Sequence, residues 1–210
     1  MILVLIPLLQ RATHWVAART GEFSARLIHS KPMRRPSTGS LTTSGKERVF
    51  PLRGRITRQL CGCCIARLLV FATEDRNRPI LLHVDSTGGQ ISSALNIIST
   101  MNGIRTPIAT FFGPLVEGTA VVIGSHGLRG FRLAPPNVRL SFKTFVQEVT
   151  AGDHVASMLP LLSEVLARDT NQSEARVMAW LRDGAEFNAR QAMEAGLIDA
   201  ISSAPMLPPE

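Results

Sequence analysis

Residues 80–103, Ile-Leu-Leu-His-Val-Asp-Ser-Thr-Gly-Gly-Gln-Ile-Ser-Ser-Ala-Leu-Asn-Ile-Ile-Ser-Thr-Met-Asn-Gly, contain a complete strand, turn and helix pattern. The apolar run Ile80–Val84 is typical of a strand that is buried on both faces of a parallel sheet. A turn with two glycines follows, and apolar residues then recur at helical spacing from Ile91 to Met101, until Gly103 ends the helix. The pattern predicts a buried strand that leads through a tight turn into a crossover helix.

The same alternation continues on both sides of this unit. Short apolar runs predict further strands at residues 49–52, 107–112, 131–133 and 138–142. Apolar residues at helical spacing predict helices over residues 56–71 and from about Glu117 to Ile123. The last third is predicted to be helical, with Asn188 and Gln191 as a capping box that opens a short helix. Repeated strand, helix and strand units predict a three-layer α/β domain with a long C-terminal helical part.

Charge divides the chain into a basic N-terminal part and a nearly neutral body. Residues 1–60 hold 11 of the 23 lysines and arginines and 2 of the 16 acids, although the whole chain has a net charge of +7. Residues 10–46 are rich in Arg, Ser and Thr and contain a single acid, as organelle transit peptides do. We interpret residues 1–46 as a basic flexible extension, either a presequence or the product of an upstream start codon. Residues 47–201 would be the folded domain, and residues 202–210 a disordered tail.

Several classes of ligand are disfavoured. The three cysteines, Cys61, Cys63 and Cys64, lie together without a second Cys or His cluster to complete a zinc site, so no metal or other cofactor is expected. The first nine residues are mostly apolar, but they are too few to span a bilayer and are interrupted by Pro7. The basic stretch has few aromatic side chains on which bases would stack. We therefore expect neither membrane insertion nor nucleic-acid binding.

Four stretches, in this order along the chain, resemble segments of the ClpP family of serine peptidases. Glu47–Gly54 resembles the family's opening strand, and His83–Gly89 resembles its Asn-Ser-Pro-Gly-Gly turn. Leu133–Arg139 resembles the Leu-Pro-Asn-Ala-Arg run before the catalytic histidine, and Ala192–Asp199 resembles the terminal segment Glu-Ala-hydrophobe-Gly-Leu-Ile-Asp. The stretches fall on separate predicted elements, so their shared order makes the resemblance specific over residues 47–201.

The resemblance implies a fold, an assembly and partners. The fold would be the ClpP/crotonase-like spiral of βαβ units, and the chain would be a subunit of an ATP-dependent protease barrel. Members of the family stack rings of subunits around a chamber that an AAA+ unfoldase feeds, which implies a homo- or hetero-oligomeric ring with catalytic subunits. Pro160 falls inside the helix that joins the rings, where a proline is expected to kink or split the helix. The expected compartment is the cytoplasm, or a plastid or the mitochondrial matrix if residues 1–46 are a transit peptide.

The resemblance also implies three catalytic positions, and none of them holds the residue that the chemistry needs. Ungapped counting from neighbouring anchors places Glu117 at the position of the nucleophilic serine and Lys143 at that of the histidine base. A looser count places Trp180 at the position of the orienting aspartate, with Asp183 nearby. A carboxylate attacks amides poorly, an ammonium has no lone pair to accept a proton, and an indole cannot orient a base as a carboxylate does. The chain is therefore expected to be a non-catalytic member of the family.

Part of the ancestral site is nevertheless expected to survive. Gly88, Gly89 and Gly118 would be the remnant of the oxyanion hole. The serine and histidine side chains of the family touch, so the resemblance implies that Glu117 and Lys143 face each other, and we predict an ion pair between them.

Two other functions are open at this point. An active serine peptidase would need a different site; Ser125 and His126 diverge by about 100 degrees on a helix, whereas Ser141 and Lys143 would share one strand face as a Ser-Lys dyad. A crotonase-like acyl-CoA enzyme would use the same spiral of strands, with Glu117 as a general base.

Overall fold

Five parallel strands form the main sheet in the computed structural model, which describes residues 48–145 and 153–209, with the backbone alone for residues 153–156. In chain order the elements are β1 (Val49–Arg53), α1 (Arg58–Glu74), β2 (Ile80–Asp85), α2 (Ile91–Gly103), β3 (Ile108–Phe112), β4 (Leu115–Glu117), α3 (Thr119–Ser125), β5 (Arg132–Ala134), β6 (Arg139–Ser141), α4 (Asp153–Thr170), α5 (Glu174–Asp183), β7 (Glu186–Asn188), α6 (Ala189–Glu194) and β8 (Ala200–Ile201). The predicted N-terminal extension, residues 1–46, lies outside the described residues.

The main sheet has the strand order β1-β2-β3-β5-β8, and each strand pairs with its neighbours in parallel. Parallel neighbours need crossover connections, and helices α1 and α2 supply the first two of them. Four of the six side chains of β2 are buried, as its apolar run predicts. The α/β class with repeated βαβ units, predicted from the sequence, is confirmed.

Helix α1 carries the cysteine cluster. Thr57 caps its start, because the Thr57 hydroxyl accepts a hydrogen bond from the backbone N–H of Leu60 at 3.2 Å. Cys61 and Cys64 are buried against the core, and burial raises the pKa of the Cys64 thiol to about 12. Cys63 lies on the exposed side. Two of the three cysteines therefore pack in the core as small apolar residues.

A second, three-stranded sheet has the order β4-β6-β7, and the sequence patterns did not predict it. Strands β4 and β6 pair in parallel, while β6 and β7 are antiparallel. The predicted helix from about Glu117 therefore starts later than expected. Glu117 is the last residue of β4, and α3 begins at Thr119 after Gly118. Strands of three residues are too short to show the alternation that identifies a strand.

The C-terminal helices follow the predicted pattern. Of the two expected effects of Pro160, a kink or a split, the split does not occur, because helix α4 continues through this residue. The Ser163 hydroxyl donates a hydrogen bond to the Pro160 carbonyl at 2.8 Å. The capping box at the start of α6 is confirmed, with reciprocal hydrogen bonds of 2.9 and 3.0 Å between Asn188 and Gln191. Residues 202–209 follow β8 without forming a helix or strand.

Candidate functional site

The glycine turn after β2 packs directly against the chain between β4 and α3. A Cβ atom added to Gly88 would lie 2.8 Å from the carbonyl oxygen of Glu117, which is too close for any real side chain. The backbone N–H of Glu117 in turn donates to the carbonyl of Ser86 at 3.0 Å. The structure therefore brings together Gly88, Glu117 and Gly118, three of the residues that the sequence places at the site.

Gly118 has a backbone conformation that favours glycine, with φ 55° and ψ −128°. A Cβ atom at this position would also meet the Thr144 hydroxyl oxygen, and Gly118 forms the N-cap of α3. The sharp bend turns the chain from β4 into the helix. It also fixes the direction of the Gly118 amide.

Two of the three amides of the expected oxyanion-hole remnant, those of Gly88 and Gly118, donate to acceptors within the chain itself. The Gly118 N–H donates to the carbonyl of Ser141 at 2.8 Å, as an extension of the pairing of β4 with β6. The Gly88 N–H donates to the hydroxyl of Ser86 at 3.1 Å. An oxyanion hole requires N–H groups that point at the place where negative charge develops. In this conformation these two N–H groups point at protein oxygens.

Three polar residues lie side by side on one face of the second sheet. The register pairs Ser141 of β6 with Glu117 of β4 and with Glu186 of β7. Directly opposed residues on neighbouring strands point to the same face. Ser141 is buried, with an exposed fraction of 1%, and its hydroxyl oxygen accepts a hydrogen bond from the backbone N–H of Lys143 at 3.3 Å. Glu186 was not among the site residues predicted from the sequence.

Lys143 forms an ion pair with Glu186, with 2.9 Å between Nζ and Oε1. The predicted pairing of Lys143 with Glu117 is therefore wrong, because the ammonium lies against the carboxylate of β7. The hydrogen bond from Lys143 lowers the pKa of Glu186 below its usual range. Both side chains are well exposed, with fractions of 62% for Lys143 and 39% for Glu186.

The ion pair of Lys143 with Glu186 also argues against an active site made of Ser141 and Lys143. A lysine activates a serine only as a neutral amine in a desolvated site. Here the Lys143 side chain is exposed and donates to a carboxylate, while Ser141 itself is almost inaccessible. This arrangement does not favour a dyad of Ser141 and Lys143.

Trp180 lies on the other face of the second sheet from Lys143. Its ring packs against Phe187 with 5.1 Å between centroids, and Phe187 contacts Phe142 at 6.1 Å. Successive residues of a strand point to opposite faces, so Phe187 and its neighbour Glu186 face apart. The structure therefore does not bring Trp180 and Lys143 together. Trp180 is a core residue with an exposed fraction of 9%.

Ser125 and His126 lie at the other end of α3 from Gly118. The Ser125 hydroxyl is buried and has no hydrogen-bond partner within the described part of the chain. The His126 ring has Nδ1 at 2.6 Å from a carboxylate oxygen of Asp169 and Nε2 at 3.0 Å from the side-chain oxygen of Asn102. His126 thus joins three helices, and neither of its nitrogens contacts a serine. Sequence analysis did not predict the pairing with Asp169, which lies far away in the chain.

Substitution of Lys143 by alanine is expected to change the thermal unfolding midpoint only slightly. The ion pair with Glu186 is exposed, and exposed pairs contribute little because water screens them. The measurement is a melting curve at low and at high salt, with Glu186→Gln as the matched variant. A large loss of stability in either variant would show that the pair is shielded from solvent.

The described residues hold no group of three or more His, Cys, Asp or Glu side chains placed to bind a metal ion. None of the helices within residues 48–145 and 153–209 combines the length and the apolar character that a bilayer crossing requires.

Comparison with known proteins agrees with the fold. The profile of the Clp protease family matches residues 38–205. The chain is 27% identical over 166 residues to the ATP-dependent Clp protease proteolytic subunit of Streptococcus pneumoniae strain Hungary19A-6, which covers 74% of this chain and 85% of that protein. The protein of the same name from strain CGSP14 gives the same values. Since the family profile spans most of the sequence and the α/β architecture fits it, the chain belongs to the Clp protease family.

Proposed function

We propose that the chain is a non-catalytic subunit of an ATP-dependent Clp-type protease barrel, with a structural or regulatory role. It would occupy places in a homo- or hetero-oligomeric ring beside catalytic subunits, and an AAA+ unfoldase would deliver substrates to the barrel. Similar proteins are named as proteolytic subunits of the ATP-dependent Clp protease, which supports membership in such an assembly. We propose that Glu117, Lys143 and Trp180 occupy the positions of the catalytic serine, histidine and aspartate.

The proposal rests mainly on the residues that we assign to the positions of the nucleophile and its base. Glu117 ends β4 at the bend into α3, and Lys143 donates to Glu186. Serine hydrolysis needs a hydroxyl, a neutral base within hydrogen-bond reach and a group that orients the base. A carboxylate and an ammonium paired with another carboxylate supply neither the hydroxyl nor the neutral base.

The internal hydrogen bonds of Gly88 and Gly118 also support a non-catalytic role. Residual catalysis in triad variants of serine proteases comes from the oxyanion groups and from substrate binding. Here the two amides already donate to Ser86 and Ser141. An acyl oxygen would have to displace these bonds, so we expect even the residual rate to be low.

The chain purified alone is expected neither to hydrolyse fluorogenic peptides nor to react with a fluorophosphonate. The matched control is the S. pneumoniae proteolytic subunit, prepared and assayed in the same way. Mass spectrometry of the labelled protein would locate any adduct. A fluorophosphonate adduct on any serine of this chain would overturn the non-catalytic proposal, and an adduct on Ser141 would favour the dyad.

Partners and compartment are tested by affinity purification of the tagged chain from its native cells. We expect catalytic Clp-type subunits and an AAA+ ATPase to copurify. Sequencing of the mature N-terminus would test whether residues 1–46 are removed, as a plastid or mitochondrial location requires, or retained, as in the cytoplasm. Recovery of the chain as a monomer without either partner would contradict the ring assembly.

A further inference from the structure

A cavity of about 310 Å³ lies at the opposite end of α3 from Gly118, between the end of α2, the start of β3 and the loop after α3. Ligand pockets typically combine an apolar lining with a few polar groups. Most of the lining here is apolar, namely Met101, Ile104, Pro107, Ile108 and Leu128. The remaining lining residues are polar, namely Asn102, Arg105, Thr106 and His126. The cavity therefore has both components of a small-molecule site.

Thr106 gives the cavity a polar group that lacks a partner. The residue is buried, with an exposed fraction of 4%, and its hydroxyl has no hydrogen-bond partner within the described residues. Most buried hydroxyl groups in proteins are hydrogen-bonded, and an unpaired one is unfavourable. Because Thr106 lines the cavity, an oxygen atom of a bound ligand would supply the missing partner.

His126 and Asn102 form a fixed polar part of the lining. The His126 side chain is only 7% exposed, and its Nδ1 contacts Asp169 while its Nε2 contacts Asn102. Asp169 itself does not line the cavity, and its second carboxylate oxygen lies 3.3 Å from Nε of Arg168. The ring is therefore held from both sides, and the carboxylate behind it is already paired with an arginine.

Arg105 determines the charge of the ligand that would fit. It is an exposed residue of the lining, and none of the described residues that line the cavity is acidic. A guanidinium binds a carboxylate through two parallel hydrogen bonds. The apolar lining favours a ligand that also has an apolar body. An organic acid meets both conditions, whereas a bare inorganic anion meets only the first.

We propose that this cavity binds a small organic acid. The carboxylate of the ligand would accept hydrogen bonds from the Arg105 guanidinium and the Thr106 hydroxyl. The apolar body of the ligand would lie against Ile104, Ile108 and Leu128. The cavity is separate from the site around Gly118, so the proposal does not depend on whether the chain is catalytic.

The test titrates the full chain against para-fluorobenzoate and follows the fluorine NMR signal of this probe. The matched ligand is para-fluorobenzamide, which has nearly the same shape without the charge. Inorganic phosphate, measured by competition, has charge without an apolar body. The benzoate is expected to bind at least about tenfold more tightly than either of them, because a charge-assisted hydrogen bond is stronger than a neutral one and the ring fills the apolar part of the cavity.

Two substitutions test the assigned contacts. Arg105→Gln is expected to weaken binding of the benzoate by about tenfold, because it removes the charge-assisted hydrogen bonds. Thr106→Val keeps the shape of the side chain and removes the hydroxyl, so binding should weaken several-fold. Without ligand, the melting temperature of Thr106→Val should equal or exceed that of the unchanged chain, because the hydroxyl lost has no partner there. This second measurement separates a lost contact from a lost fold.

Arg76→Gln is the control, because Arg76 is also exposed and lines, together with Arg105, a neighbouring groove that Thr106 does not line. Its affinity for the benzoate is expected to equal that of the unchanged chain. An equal loss in Arg76→Gln and Arg105→Gln would place the probe in that groove and overturn the proposal. Absence of binding, a benzoate that binds no more tightly than the amide, or full affinity in both Arg105→Gln and Thr106→Val would overturn it as well.

Discussion

Replacement of Arg132 by methionine is expected to lower the free energy of unfolding by about 3 to 5 kcal/mol. The Arg132 side chain is buried, and its guanidinium makes two hydrogen bonds to the carboxylate of Asp199. It also donates to the carbonyls of Ser125 and Asp169, at the ends of α3 and α4. Methionine fills similar space without these donors. It would leave a partly buried carboxylate without its cation and two carbonyls without these donors.

Chemical denaturation at one fixed protein concentration measures this effect, since association of subunits would add a concentration-dependent contribution. Arg53→Met is the control, because the pair of Arg53 with Asp85 is long, at 3.9 Å, and exposed. It should change stability by about 0.5 kcal/mol or less. Arg132→Lys, which keeps the charge but loses the two-pronged geometry, should fall between the two. Equal midpoints for Arg132→Met and Arg53→Met would show that the buried network contributes nothing.

The loss of stability in Arg132→Met should also depend on pH. Burial pushes the pKa of Asp199 upward, but hydrogen bonds from Arg132 and from the Gly130 N–H outweigh burial and hold that pKa below its usual range. A carboxylate whose pKa is depressed by folding stabilises the native state above its unfolded pKa. That contribution disappears as the pH falls through the folded pKa. The difference between wild type and Arg132→Met is therefore expected to be full at neutral pH and to shrink in strong acid.

Gly89→Ala is the second substitution with a large expected effect, a loss of about 3 kcal/mol or more. Gly89 has φ 151°, and an added Cβ would lie 2.3 Å from the carbonyl oxygen of Ile56. The atoms that it would strike are backbone, so they cannot rotate away. Relief of this clash would break the bridge in which Ile56 N–H donates to Gly88 and Gln90 N–H donates to Ile56, at 2.7 and 2.9 Å.

Gly130→Ala separates backbone strain from steric clash. Gly130 also has a positive φ, 88°, but nothing lies within 4 Å of an added Cβ. Its substitution should cost only the left-handed strain, about 1 to 2 kcal/mol. Melting curves of both variants, measured side by side, give the comparison. If Gly130→Ala were as damaging as Gly89→Ala, the close approach of Ile56 would not be the cause.

Much of the fold could be predicted from local patterns. Strand β2 and helix α2 are long enough for their burial periodicity to be unmistakable, and their observed bounds match the prediction closely. Strands β4 and β7 have three residues each and carry no comparable periodicity. Their existence depends on pairing with β6, and the patterns within each segment did not indicate that pairing.

The site was predictable only in part. Gly88 follows β2 and Gly118 follows β4, and the two turns lie against each other. The resemblance to the family indicated this approach. The partner of Lys143 could not be predicted, because Glu186 reaches it only through the antiparallel pairing of β6 with β7. The placement of Trp180 among aromatic rings could not be predicted either, because its neighbour Phe187 also lies on β7.

The amino-acid sequence by itself determined the α/β alternation, the glycine turns and the residues that occupy the candidate site. These properties follow from side-chain size, polarity and backbone freedom, which act within a few residues along the chain. Only the tertiary structure decided which charges pair and which amides are already occupied. Such contacts join segments that are distant in the chain, so they depend on how the sheets and helices pack rather than on any local pattern.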